Sequence, residues 1–389
     1  MALKNKLKRK LLSFISNRQN IFHKILIRTK SHANWLFGPI SGEYCFPPEG
    51  VSFLLTHRCN LHCEMCYLRF NQENLNSYIE NNKKQEININ RWKEIVDELY
   101  PYKPSIGISG GEPLLYNGVL KIIQYIKKKG ISCSVNTNGI MLEKFANDFV
   151  NSKLDLVKVS IDGPPEIHDE IRGAQGSYEK ILKGIDSLNR FKAEKSSLLP
   201  YIEIFFTITN KNVNHLTAFL ELIEKKNINS VKFIHPIFMS KNTIQECEIF
   251  LQKTLSLQNL GFLKGANIEG VLPNHEKLIT EIQKVKKRKN KVLVWFFPDF
   301  NNEQIKEYYL NHYNFAFKFK NQCKVPWYSL YIDSDGSVEC CPEFKIGNIR
   351  EEKILSIWNN DKIKKLRQTI RKNGIIPLCH GCCNLYRNL

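Results

Sequence analysis

Between Val51 and about Pro236, short apolar runs alternate with longer amphipathic segments. The runs Val51–Leu55, Ser105–Ser109, Ser132–Asn136, Val157–Ile161, Tyr201–Ile208 and Val231–His235 read as strands. Between them Ile89–Leu99, Val119–Lys129, Leu142–Asn151, Tyr178–Phe191 and Val213–Lys225 repeat apolar residues at helical spacing. Strand and helix in alternation predict an α/β fold, a parallel sheet with helices outside. Six such units predict a partial (β/α)6 barrel of the TIM type, whose chemistry sits at the carboxyl ends of the strands.

Beyond Pro236 the pattern loosens. Helices near Thr243–Leu260 and His275–Lys289 flank one more apolar run, Val292–Phe297, which is expected to complete or cover the barrel mouth. Farther on, Tyr328–Ile332 and Ser337–Cys341 read as a hairpin turning at Asp335-Gly336. The expected division is an N-terminal extension over 1–45, a barrel over 46–240, a connecting stretch over 241–320 and a small C-terminal hairpin-and-helix domain over 321–389.

Charge is uneven along the chain. The net charge is +19 over 389 residues, and residues 1–42 hold nine Lys or Arg and no acid. Leu3, Leu7, Leu11, Phe14, Ile21, Phe22 and Ile25 recur there at roughly helical spacing. A basic amphipathic helix can lie on an anionic membrane surface, bind an acidic partner, or simply dock on the barrel as a solvated helix. Peripheral contact with an anionic membrane is the expectation taken forward, ahead of nucleic acid. No run is long and apolar enough for a membrane span, and no secretory signal is visible. A cytoplasmic, reducing setting is therefore expected, in which clustered cysteines read as metal ligands rather than disulfides. Neither a P-loop nor a dinucleotide fingerprint occurs.

Cys59, Cys63 and Cys66 form a C-x3-C-x2-C run just after the first strand. Ordinary [4Fe–4S] sites take four cysteines, so three thiolates would leave one iron open to a small molecule. The same spacing could be a helical stripe of buried cysteines, or a zinc site completed by His57 or His62. Gly110-Gly111-Glu112 ends the second strand; glycines there allow close backbone approach, and a carboxylate beside them can accept from an ammonium. Asn138 ends the third strand, and Ser160 and Asp162 end the fourth, followed by His168 and Arg172. Asn138 and Asp162 next to glycine also suit ordinary turns, and His168 with Arg172 also suits a helix-surface pair. Cys323, Cys340, Cys341, Cys379, Cys382 and Cys383 make a second set, for which a four-cysteine zinc is the rival reading. Cys45, Cys133 and Cys247 read as isolated buried residues.

The cysteine run, the Gly-Gly-Glu and the strand-end residues together resemble the radical S-adenosylmethionine (SAM) family. The resemblance implies a [4Fe–4S] cluster held by Cys59, Cys63 and Cys66, with its open iron on the amino and carboxylate groups of SAM. It further implies that Gly110, Gly111 and Glu112 meet the SAM amino group, Ser160 and Asp162 the ribose, and Arg172 the carboxylate. Asn138 belongs to the same SAM-binding set, and Met65 and Tyr67 could cover the adenine. The C-terminal pattern, Cys323 through Gly336 to Cys341 and then Cys379-x2-Cys382, resembles the auxiliary-cluster domain called SPASM or, when shorter, twitch. The later cysteines of full SPASM are missing, which implies one auxiliary [4Fe–4S] cluster on Cys323, Cys341, Cys379 and Cys382. Cys340 and Cys383 are possible replacements for their neighbours. The implied activity is reductive cleavage of SAM to a 5′-deoxyadenosyl radical that takes a hydrogen atom from a sugar-like, lipid or peptide substrate. A flavodoxin- or ferredoxin-type reductant would supply the electron. The alternative function is a non-enzymatic zinc protein that binds nucleic acid.

Overall fold

The structure is a computed structural model, and it describes residues 33–66, 68, 85–255, 268–311, 323–341, 344–380, 382 and 385. The expected N-terminal helix up to residue 32, Tyr67, Cys383 and the end of the expected Thr243–Leu260 helix lie outside the described residues.

Seven strands run parallel in sequence order: β1 (Gly50–Leu54), β2 (Ser105–Ser109), β3 (Cys133–Thr137), β4 (Leu156–Ser160), β5 (Tyr201–Thr207), β6 (Ser230–Ile234) and β7 (Leu293–Phe297). Along each strand one parity is apolar and buried, as with Val51 and Phe53 in β1 or Val157 and Val159 in β4. That face meets the helices. Phe53 packs on Trp92 of α1 (Ile89–Leu99) with ring centroids 4.7 Å apart. The Asn88 side chain accepts from Arg91 N and starts that helix. The layer continues through α2 (Val119–Lys128), α3 (Leu142–Asn151), α4 (Pro165–Arg172), α5 (Ser177–Glu194) and α6 (Leu216–Ile223). Gly184 lets α5 lie on α3, where a Cβ would stand 2.7 Å from Leu142.

The stretch of open role supplies α7 (Lys241–Leu255), α8 (His275–Lys287), the seventh strand β7 paired to β6, and α9 (Asn302–Leu310). The C-terminal region supplies β8 (Ser329–Ile332), β9 (Ser337–Glu339), β10 (Lys345–Asn348), α10 (Ile354–Trp358) and α11 (Asp361–Asn373). Its hairpin forms at the expected turn, where Gly336 has φ +94° and the Asp335 carboxylate accepts from Ser337 N. The hairpin does not stand apart from the barrel. β8 pairs in parallel with β1, giving one ten-stranded sheet in the order β10-β9-β8-β1-β2-β3-β4-β5-β6-β7.

Residues 34–46 are strapped to this C-terminal region. Buried Glu43 accepts from Trp327 Nε1 at 2.9 Å and pairs with Arg371. Arg367, fully buried, donates to the carbonyls of Glu43, Pro326 and Trp358 at 2.8, 2.9 and 3.0 Å.

Candidate active site

The loop after β1 carries Cys59, Cys63 and Cys66, all partly exposed at the carboxyl end of the sheet. Two neighbours clamp it. From the β2 end, Gly111 N donates to Thr56 O at 2.7 Å and Glu112 N to Arg58 O at 2.8 Å. From the end of α4, the carbonyls of Arg172 and Ile171 accept from His62 N at 3.1 Å and Glu64 N at 3.0 Å. A Cβ on Gly110 would stand 2.3 Å from Thr56 O, and one on Gly111 2.4 Å from Arg58 O. The close approach these glycines allow is therefore to the cysteine loop itself. The expectation of a helical stripe does not hold, because the segment 59–66 is loop and turn.

Side chains complete the clamp. Arg58 forms a bidentate pair with Glu86, at 2.9 and 3.1 Å. His57 Nε2 meets Asp333 of the β8–β9 turn at 2.6 Å. Burial alone would lower the His57 pKa, but the Asp333 hydrogen bond and charge outweigh it and raise it. Lys211 bridges Glu64 and Glu170 at 2.7 and 2.8 Å.

Glu112 is fully buried. Its carboxylate accepts from Leu114 N at 3.0 Å, Thr137 Oγ1 at 2.8 Å and Asn138 N at 2.7 Å. Burial nevertheless pushes its pKa up to about 7, so a cation beside it would restore the full negative charge. Asn138 turns its amide onto the loop, donating to Asn60 Oδ1 at 2.8 Å and reaching Cys59 Sγ at 3.8 Å. Its own Oδ1 accepts from Ile140 N, so the expected turn chemistry and the contact with the loop coexist.

Arg172 and His168 are buried, which corrects the surface-pair expectation. Arg172 pairs with Asp162 and donates to Cys63 Sγ at 3.5 Å. Burial works against its charge, but Asp162 and the Cys63 sulfur hold it protonated. Asp162 also accepts from Thr207 N at 2.7 Å. His168 Nδ1 accepts from Asp162 N at 3.0 Å, and burial, with the Arg172 charge, drops its pKa to about 3. Ser160 closes β4 and Met65 lies in the cysteine loop, both partly exposed.

The three loop thiols converge. Burial raises the Cys59 pKa to about 11, and the nearby Cys63 and Cys66 sulfurs add to it. Among the described residues no group of three or more His, Cys, Asp or Glu side chains closes around a single-ion position. Fit to a larger cluster rests on this convergence and on the Asn138 and Arg172 N–H groups aimed at ligand sulfurs, an arrangement that tunes iron–sulfur sites.

Cys323, Cys340, Cys341, Cys379 and Cys382 converge in the C-terminal region. Burial holds Cys323 well above the thiol range, with Cys379, Cys382 and Cys340 adding to it. Cys341 is held up first by its hydrogen bond with Cys340, then by burial. Cys247 is not isolated as expected: α7 packs on residues 377–379, and burial, then the Cys379 charge, raise its pKa to about 12. Sequence spacing carried no sign of Cys247, of the Asp333 partner to His57, or of the Glu86 partner to Arg58.

A family model described as the radical SAM superfamily matches residues 53–203, and one described as an iron–sulfur cluster-binding domain (SPASM) matches residues 323–383. An Fe-coproporphyrin III synthase of Methanosarcina barkeri is 25% identical over 226 residues, covering 54% of this chain and 53% of that protein. A probable GTP 3′,8-cyclase of Methanococcus aeolicus is 34% identical over 192 residues, covering 46% of this chain and 57% of that protein. The chain spans about half the length of the curated relatives it matches. The crystal structure of Streptococcus suis SuiB bound to S-adenosylmethionine aligns with a TM-score of 0.59 at 14% identity, covering 88% of this chain and 74% of that one. That likeness is one of fold: a mixed α/β architecture with a mostly parallel sheet. The two matched domains imply a [4Fe–4S] cluster with SAM in the barrel and auxiliary iron–sulfur chemistry in the C-terminal region. They support an enzyme, and the zinc and nucleic-acid alternative is not favoured.

Proposed function

Because the chain belongs to the radical SAM superfamily and carries a SPASM domain, we propose that it is a SAM-cleaving enzyme with Cys59, Cys63 and Cys66 as the ligands of its barrel cluster. The carrying observation is the double clamp on the cysteine loop, with Asn138 and Arg172 touching two of the three sulfurs. With the reduced cluster and SAM bound, the chemistry supplied is cleavage of SAM to methionine and a 5′-deoxyadenosyl radical that abstracts a hydrogen atom from substrate.

The protein's own part is placement. Gly110 and Gly111 seat the loop, and Glu112 offers a buried carboxylate at the strand ends to the SAM ammonium. Asp162 and Ser160 stand on the ribose side. Arg172 holds Asp162 in place and a positive charge against Cys63; its part in binding the SAM carboxylate is shared with whatever free donor reach that pairing leaves. Cys323, Cys341, Cys379 and Cys382 are proposed to hold one auxiliary [4Fe–4S] cluster that exchanges an electron with the substrate radical. A flavodoxin- or ferredoxin-type protein is the proposed reductant.

The test is iron and sulfide per chain after anaerobic reconstitution, with 5′-deoxyadenosine release on adding dithionite and SAM. About eight irons are expected for the wild type and about four for Cys59/Cys63/Cys66→Ala. Absence of iron from both proteins, or nucleoside release by the triple variant, sinks the proposal.

Membrane contact is proposed for the N-terminal segment. No helix among the described residues is long and apolar enough to cross a membrane. Leu36, Phe37, Ile40, Tyr44 and Phe46 are all exposed, Ile40 at 85%, and they continue directly from the acid-free basic stretch. Apolar contact beside positive charge is the pattern that binds anionic bilayers. Removal of residues 1–32 should abolish binding to phosphatidylglycerol vesicles; undiminished binding refutes this.

A further inference from the structure

Parallel strands covered on both faces normally read as apolar runs. Here the face turned away from the helices is not apolar. In β4 to β7 it carries Lys158, Glu203, Phe205, Lys232, Trp295 and Phe297, the parity opposite to buried Val157, Ile204, Val231 and Phe296. Lys158 is in register with Glu203, and Phe205, Lys232 and Trp295 are aligned across three strands.

The lysine heads are held by rings. Lys232 Nζ lies 4.3 Å from the Phe297 ring centre, 5.1 Å from that of Phe205 and 5.3 Å from that of Trp295. Lys158 Nζ lies 5.6 Å from Phe205. Phe297 is the last residue of β7, so the Lys232 ammonium leans towards the strand ends that carry Glu112 and Asp162. Ring faces position an ammonium without cancelling its charge. The nearby acid is Glu203, buried and accepting from Ser230 Oγ at 3.1 Å. Two lysines against one carboxylate leave this corner positive, and both lysines are only partly covered.

We propose that this corner is an anion subsite for the substrate: Lys232, with Lys158 beside it, binds a carboxylate or phosphate, and Trp295 and Phe297 pack the adjoining apolar part of the same molecule. The proposal rests on the barrel reading above and narrows its substrate to an anionic one.

The probes are benzoate and phenyl phosphate, each set against neutral benzamide, titrated into the reconstituted holoenzyme. Quenching of tryptophan emission is the readout, with Trp295→Phe as the blank. Both anions should bind at least about tenfold more tightly than benzamide, the worth of one charge-assisted hydrogen bond. Lys232→Gln should remove that preference and Lys232→Arg should keep it, with iron content unchanged in both. Equal binding of benzoate and benzamide to the wild type overturns the proposal without reference to any variant. If SAM displaces the anions and Lys232→Gln weakens SAM binding, the corner belongs to the SAM carboxylate and the substrate assignment falls. Release of 5′-deoxyadenosine separates the two levels. Its absence from a wild type that still prefers anions rejects the radical reading alone, while its presence without anion preference rejects the subsite alone.

Discussion

Gly111→Ala tests the clamp by adding one carbon. No positive φ is involved at Gly111, so the effect is steric. The new Cβ would stand 2.4 Å from Arg58 O and 2.6 Å from His57 O, where ordinary contact begins at 3.4 Å. The loop must therefore retreat by about 1 Å (3.4 less 2.4). That is about twice the tolerance of roughly 0.5 Å within which a constellation must be held to function. A retreat stretches the bonds from Gly111 N and Glu112 N to the loop carbonyls, each worth about 1 kcal/mol. Staying in place instead costs about 1–3 kcal/mol in overpacking. Either way about 2 kcal/mol falls on a single loop. The assay is iron per chain with low-temperature EPR of the reduced protein, alongside a thermal melt. Gly270→Ala is the control, since a Cβ there meets nothing within 4 Å. Gly111→Ala should lose the barrel cluster signal and keep the auxiliary one, while Gly270→Ala keeps both. A Gly111→Ala protein with full iron and an unchanged spectrum refutes the clamp.

Three further outcomes follow from the geometry. The His57–Asp333 pair raises the His57 pKa and lowers that of Asp333, in which burial is outweighed by the His57 hydrogen bond. The histidine contribution is complete below about pH 6.5 and fades as pH rises through the raised value; the aspartate contribution is complete above about pH 4 and fades as pH falls through the lowered one. Asp333→Asn should therefore cost about 1.5–3 kcal/mol near pH 6 and much less at pH 9 in denaturant titrations, and a flat profile counts against the pair. Arg367→Met strands three buried carbonyls and should lower stability by at least about 3 kcal/mol, read by chemical denaturation with Trp327 exposure. Cys341→Ser should lose about four irons and Cys340→Ser none; the reverse result moves the ligand to Cys340.

The strands were legible because their apolar parity survives in the sequence, so Val51, Phe53, Val157 and Val159 marked β1 and β4 to within a residue. Helix α6 is shorter at its start than its periodicity predicts. Asn212 spends its side chain on Thr209 N, Asp162 O and Thr207 O, which shapes a turn before Leu216. The cysteine runs and Gly110-Gly111-Glu112 were legible as local chemistry, but the purpose of the glycines was not. Close approach to a ligand and close approach to residues 56–58 look the same in one dimension. His168 and Arg172 fit an exposed i,i+4 pair equally well until the neighbouring strand ends are placed over them. Partners such as Glu86, Asp333 and Cys247 are distant in sequence and obey no period.

β1 lies between β2 and β8 in one ladder. The loop leaving it holds the first cysteine set, the turn leaving β2 clamps that loop, and β8 leads through its hairpin to Cys340 and Cys341. Across this frame His57 meets Asp333, Ile87 N donates to Ser334 O at 2.8 Å, and Arg350 donates to Gln85 O. The two cysteine sets are thus related by strand pairing and by several polar contacts, not by a free linker. A change in the hairpin register would move Asp333, and with it His57 and the first cysteine loop. The C-terminal region is for this reason a structural wall of the barrel site as well as the holder of its own cysteines.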